Sequence, residues 1–344
     1  MVKQSFLQKI QTWILTFWRA RQASSDLVVQ EQEARSSQVI VLPNQAKLQS
    51  PQLSQESDQG VLEFVQCASF AGLHRMAYRS WGDPSNPKVL LCVHGLTRRG
   101  SDFDVLAKFM SKDFRVVCPD VVGRGDSDYL SNPMLYGVPQ YVSDMVTLIA
   151  RLNPGELHWF GTSMGGLIGM VLAGLKNQPI ERLLLNDVGP RIEVSFLGRL
   201  LTYLGKPVDF ATQEEAITYA NSLTVTFGRH SQEQLRALNS PQVICKDGRW
   251  VMHYDPQIAI PFAAQNPLTI TAGEQALWQS FEQIRIKTLV VRGVESDLLS
   301  ASTVTQMCER NSYVSSIEVP EAGHAPAFIL PSQMQIAQEF FRAF

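Results

Sequence analysis

An α/β fold, built on a mostly parallel sheet with helices on both faces, is the class this sequence predicts, and three observations predict it. From about residue 61 onward, short apolar runs alternate with amphipathic segments. Internal runs such as KVLLCVHG (88–95) are apolar almost throughout, as strands buried on both faces are. A stretch from Pro190 to about residue 285 breaks this alternation with helical patterns, after which the strand-like runs resume.

The elements follow in order. VLEFVQC and HRMAYRSWG read as a leading antiparallel hairpin. KVLLCVHG is the third strand, followed by a helix near DFDVLAKFM, the strand RVVCPD (115–120) and the helix YVSDMVTLIARL (141–152). LHWFG (157–161) is a strand, MGGLIGMVLAGL (164–175) a helix and RLLLND (182–187) the sixth strand. The interruption carries helical signals at FLGRLLTYL, EEAITYANSLTVTF and SQEQLRAL, and the sheet resumes with KTLVVRG (287–293) and SSIEVP (315–320). The expectation is an eight-stranded sheet with a helical cap inserted after the sixth strand. The chain then divides into 1–60, a first core part 61–189, a cap 190–285 and a second core part 286–344.

With 344 residues and 45% hydrophobic content, the chain can bury one large core with an insertion. A formal net charge of -2 gives no global reason to expect nucleic acid as partner. The five cysteines are an odd number, and Cys92 and Cys118 fall inside apolar strand-like runs. They read as buried thiols in a reducing, cytoplasmic setting. Neither a CxxC pair nor a Cys/His cluster at zinc spacing occurs, so no metal is expected.

The first 60 residues differ from the rest. Phe6, Ile10, Trp13, Ile14 and Phe17 fall on one helical face, while Lys3, Lys9, Arg19 and Arg21 precede the first acid, Asp26. Peripheral membrane contact through residues 5–19 fits this pattern, as do an organelle transit peptide and a helix packed on its own domain. Polar residues interrupt the apolar ones too often for a bilayer span. Residues from about 22 to 60, rich in Gln and Ser, read as a linker.

The chemistry is concentrated at Gly161-Thr162-Ser163-Met164-Gly165, a G-x-S-x-G pentapeptide between a strand and a helix. A serine hydroxyl is a weak nucleophile at neutral pH and needs a base, a group orienting that base, and donors for an oxyanion. The tight turn lifts the hydroxyl clear of the sheet and leaves the Met164 amide at a helix N-terminus as one donor. The loop VHGLTRRG after the third strand supplies the other, the amide of Leu96. His324, four residues past SSIEVP beside Gly323, is the histidine best placed as base. Asp297 lies four residues past TLVVRG, with Asp187 at the end of RLLLND as its rival. The bland readings are helix N-caps at Ser163 and at Asp297.

These residues resemble the α/β-hydrolase superfamily, through His94-Gly95, GRGDSD (123–128), GTSMGG (161–166), RGVESDLLS (292–300) and GHAP (323–326), over nearly everything from residue 61 onward. The resemblance implies a triad in the order nucleophile, acid, base: Ser163, Asp297 and His324. It gives His94 a loop-shaping role and makes Asp126, Ser127 and Asp128 a turn behind the site. It implies ester cleavage through an acyl-enzyme without a cofactor, the alternatives being C–C bond, thioester or lactone hydrolysis, or ligand binding without turnover. Phe196, Leu200, Leu201, Tyr203, Leu204, Phe210 and Trp250 in the insertion favour a small substrate with an apolar acyl group. Arg98 and Arg191 are the candidates for binding a substrate carboxylate.

Overall fold

The computed structural model describes residues 60–342, so the amphipathic pattern at residues 5–19 lies outside the described residues. In chain order, the first block comprises β1 (Val61–Ser69), β2 (Gly72–Trp81), β3 (Lys88–Val93), α1 (Asp104–Met110), β4 (Arg115–Pro119), α2 (Val138–Leu152), β5 (Glu156–Thr162), α3 (Met164–Ala173) and β6 (Ile180–Asn186). An insertion follows, with α4 (Val194–Leu200), β7 (Asp209–Phe210), α5 (Gln213–Ser222), α6 (Gln232–Asn239), β8 (Val243–Lys246), β9 (Arg249–Met252), α7 (Ile260–Ala263) and α8 (Pro267–Glu282). The last block is β10 (Lys287–Gly293), α9 (Ala301–Arg310), β11 (Val314–Val319) and α10 (Pro331–Arg342).

The main sheet has eight strands in the order β1-β2-β4-β3-β5-β6-β10-β11. Pairing is antiparallel within the leading hairpin and between β2 and β4, and parallel from β4 onward. The interior strands are apolar on both faces because both faces are covered. Leu91, Trp159 and Leu185 point to the side that α2, α3 and α8 cover with Met145, Leu148, Ile168 and Phe281. Leu90, Phe160, Leu184 and Val291 point to the other, which α1 and α10 cover with Leu106, Met110, Met334 and Phe341. Parallel strands collect their carboxyl ends along one edge, and the connections from β3 to β4 and from β5 to β6 run in opposite directions, which places a crevice between β3 and β5. The turns after β3, β5, β6, β10 and β11 therefore meet at that edge.

Two features of the insertion depart from the helices expected in it. Strands β7, β9 and β8 form a separate antiparallel sheet, whose β8–β9 hairpin turns at Asp247 (φ 49°) and Gly248 (φ 76°). An Asp-Gly pair between strand-compatible runs is a type I′ hairpin signal, because both central residues need positive φ. The longest helix of the insertion, α8, is written in its first residues. Asn266 accepts from the amides of Leu268 and Thr269, and Pro267 occupies the first turn, where its missing N–H costs nothing.

All five cysteines lie among the described residues without a disulfide. No helix among the described residues is long and apolar enough to cross a membrane. The leading hairpin is fastened to α2 by a buried polar pair, His74 Nε2 to Asp144 Oδ2 at 3.0 Å. Gln140 Nε2 donates to the other Asp144 oxygen at 2.8 Å. Burial, with Asp144 beside it, pushes the neighbouring Cys67 thiol up to about 12.

Removing the carboxylate strands His74 in the interior. Asp144→Ala is expected to lower stability by about 3 kcal/mol, read as a lower urea midpoint with an unchanged slope, because an orphaned buried partner loses its compensation.

Candidate active site

β5 runs into α3 through a turn in which Ser163 adopts φ 52° and ψ -115°. Crowding imposes this backbone. A Cβ on Gly165 would land on the Val93 carbonyl, and one on Gly161 would meet the Gly165 carbonyl. The Gly165 amide donates to the His94 carbonyl at 3.1 Å, and its carbonyl accepts from Trp159 Nε1 at 3.0 Å, so helix and sheet are joined where no side chain fits. The Ser163 amide donates to Asn186 at the end of β6, whose side chain reaches Thr162 Oγ1 at 3.0 Å and the Pro326 carbonyl at 2.9 Å. One asparagine thus ties the serine turn to the loop carrying His324.

His324 Nε2 lies 2.9 Å from Ser163 Oγ, and its Nδ1 lies 2.7 Å from Asp187 Oδ2. Asp187 is fully buried, with φ 56°, and also accepts from the Gly293 amide at 2.8 Å and Ser296 Oγ at 2.6 Å. A carboxylate so saturated is held in one orientation. The Phe196 ring of the insertion meets the imidazole edge to face at 4.8 Å, and Thr226 Oγ1 donates to the His324 carbonyl at 2.6 Å.

Asp297 is not the partner of His324, which corrects the expectation for the acid. Its two oxygens accept from Arg199 Nε at 2.7 Å and Nη2 at 2.9 Å, and its carbonyl accepts from Ser195 Oγ. Burial works to raise its carboxyl, but the Arg199 guanidinium holds it below the usual carboxylate range. The cause is a turn: the Ser296 amide bonds back to Gly293, so Ser296 faces inward and Asp297 faces the insertion. β6 lies between β5 and β10 in the sheet, so the residue after β6 is nearer the serine turn than one four residues beyond β10.

Both candidate carboxylate-binding arginines have partners within the protein. Arg98 is 8% exposed and forks onto Asp102, with further bonds to Asn239 Oδ1 at 2.8 Å and the Leu238 carbonyl at 3.1 Å. It fastens the core to the insertion. Arg191 Nε is bonded to Glu274 on α8 at 2.6 Å. Loop position alone does not reveal such partners, of which Asn239, Leu238 and Glu274 come from distant segments.

The loop after β3 runs close over the serine, a Cβ on Gly95 falling 3.7 Å from Ser163 Cβ, which sets Leu96 beside the turn. Met164 opens α3, where its amide has no acceptor within the helix. His94 shapes this loop: its Nε2 accepts from the Val121 amide at 2.9 Å, so its Nδ1 carries the proton and donates to the Gly95 carbonyl at 2.7 Å. That carbonyl belongs to the peptide whose N–H is Leu96. Behind the loop, Ser127 Oγ accepts from Ala77 and the Asp128 carboxylate forks onto Arg75.

The model of the alpha/beta hydrolase family matches residues 90–335. The chain is 57% identical over 284 residues to a 3-hydroxybutyrate-oligomer hydrolase of Cupriavidus necator, an alignment covering 81% of this chain and 97% of that one. Among solved structures it resembles a putative hydrolase from Rickettsia typhi with TM-score 0.75 and 29% identity, over 83% of this chain and 99% of that one. An alpha/beta hydrolase from Novosphingobium aromaticivorans is similar with TM-score 0.71 and 33% identity, over 82% and 99% of the two chains.

Burial pushes the His94 imidazole down from 6.5 to about 3. In the unfolded chain the ring is free to take up its proton as pH falls through 6.5, while the folded protein resists until about 3. Stability is therefore full above about 6.5 and falls with pH below it, by about 1.4 kcal/mol per unit. Urea midpoints measured from pH 7 to pH 5 are expected to decline, and His94→Gln to flatten that decline.

Proposed function

This chain belongs to the α/β-hydrolase family and cleaves ester bonds, and from that premise we propose that Ser163, His324 and Asp187 are its catalytic triad and oligomers of 3-hydroxybutyrate its substrates. The observation that carries the triad is the unbroken hydrogen-bond chain from Ser163 Oγ through both ring nitrogens of His324 to the buried Asp187 carboxylate. The substrate class rests on the 57% identity to a hydrolase of that name over nearly its whole length.

The cycle follows from the geometry. His324 Nε2 takes the proton of Ser163 as Oγ attacks the ester carbonyl, and Asp187 holds the ring with its proton on Nδ1 and stabilises the imidazolium that forms. The amides of Leu96 and Met164 receive the developing negative charge, each worth about 10²–10³ in rate. His324 then protonates the departing alkoxide, which is the hydroxyl end of the next hydroxybutyrate unit. Water, deprotonated by the same imidazole, attacks the acyl-enzyme and frees the acid. Phe196, edge to face on His324, sets an apolar ring beside the reacting groups, which supports a methyl-bearing acyl unit.

Peripheral membrane contact through residues 5–19 rests on the sequence pattern alone; flotation of full-length protein with liposomes, lost when residues 1–59 are removed, is its test.

Hydroxybutyrate dimers to hexamers incubated with the protein are expected to give monomer by chromatography, and Ser163→Ala to abolish the release. Asp187→Asn is expected to lower kcat about 10⁴-fold by fixing the wrong tautomer, while Asp297→Asn stays within about tenfold of wild type. A crippled Asp297→Asn beside an active Asp187→Asn would reverse the assignment. Turnover of p-nitrophenyl esters without release from the oligomers would leave the triad standing and refute the substrate.

A further inference from the structure

Arg124 sits in the turn after β4 between two glycines that must lack a side chain. A Cβ on Gly123 would meet the Tyr136 ring, and one on Gly125 would meet the Asp120 carboxylate. Its side chain is fully enclosed, and among the described residues it pairs with no carboxylate. All of its acceptors are neutral. Nε donates to the Leu96 carbonyl at 2.8 Å, Nη1 to the Val122 carbonyl at 2.7 Å and to Tyr141 Oη at 2.9 Å, and Nη2 to Met164 Sδ at 3.7 Å. The guanidinium carbon lies 5.0 Å from the centre of the Tyr141 ring and 5.7 Å from that of Tyr136.

A cation taken out of water without a counter-charge is costly, and this one is held by carbonyls, a hydroxyl, a thioether and two ring faces. Two of the residues it grips are the ones flanking Ser163 from opposite sides: Leu96 on the loop after β3 and Met164 on the first turn of α3. A planar fork bonded to both fixes the spacing between those two segments, which no covalent link shorter than the intervening chain does. Its charge is enclosed beside those two segments and meets no carboxylate among the described residues.

We propose that Arg124 is a positioning residue for the oxyanion site, setting the Leu96 and Met164 amides at the separation a tetrahedral oxyanion needs and adding an uncompensated positive charge behind them. This rests on the reading that those amides receive the oxyanion. A displacement of such donors by a fraction of an ångström is felt in the transition state and not in substrate binding, since only the tetrahedral oxygen carries full charge.

The experiment compares wild type with Arg124→Lys, which keeps the charge and loses the fork, and Arg124→Met, which loses both. Activity on a p-nitrophenyl ester is referred to sites titrated to completion with a fluorophosphonate, so that unfolded protein does not count. Per titrated site, kcat is expected to fall about 100-fold in Arg124→Met and about tenfold in Arg124→Lys, with KM within about threefold. Affinity for an alkyl trifluoromethyl ketone should weaken by matching factors, because Ser163 Oγ adds to its carbonyl and the electron pair moves to an oxyanion. A loss confined to KM, or a kcat loss with unchanged ketone affinity, overturns the proposal. Should neither Arg124 variant fold, Tyr141→Phe removes one acceptor and spares the rest: a two- to fivefold loss in both kcat and ketone affinity supports the role, and no change in either overturns it. Wild type without esterase activity, or Ser163→Ala retaining it, refutes the parent reading instead. Silence of the Arg124 and Tyr141 variants in an otherwise Ser163-dependent enzyme refutes this inference alone.

Discussion

The close approach of α3 to β3 at Gly165 is the constraint on which the site depends. A helix packed this tightly on the strand beside its own leaves no room for a Cβ between Gly165 and the Val93 carbonyl. The chain can enter the helix only through a residue bent into positive φ, and Ser163 takes that conformation at 52°. The same contact brings the His94 carbonyl to the Gly165 amide and so lays the Gly95–Leu96 peptide alongside the serine. Strain at one residue and proximity of two loops are consequences of a single packing distance.

Electrostatics at this edge follow from burial. His94 is enclosed and therefore neutral, which lets it accept at one nitrogen and donate at the other, as a loop brace must. Asp187 is enclosed as well, and three donors surround it, so its two oxygens are held by fixed hydrogen bonds.

Much of the architecture can be read in the sequence. Strands buried on both faces announce themselves as continuous apolar runs, and the order of their ends brings Ser163 and His324 to one edge. What cannot be read is the direction in which a loop residue faces. Asp297 and Asp187 both follow a core strand, and the strand order together with the back-turn from Ser296 to Gly293 decides between them. Arg98 and Arg191 stand beside the site by position, yet Asp102, Asn239 and Glu274 hold them, two of these from the insertion. The β8–β9 hairpin is a different case, since its Asp247-Gly248 turn is a local signal that helical periodicity nearby obscures.

The carboxylate that meets His324 comes from the end of β6, and the loop after β10 supports it through Ser296 while turning Asp297 the other way. Asp297 there grips Arg199 of α4, and the Leu298 carbonyl accepts the Glu193 amide, so this loop also anchors the insertion at its first helix. The β10 loop thus has two faces, one bonded to Asp187 and the other to the insertion. Sequence change in the anchoring loop can then retune how firmly the cap is seated while the reacting groups keep their places.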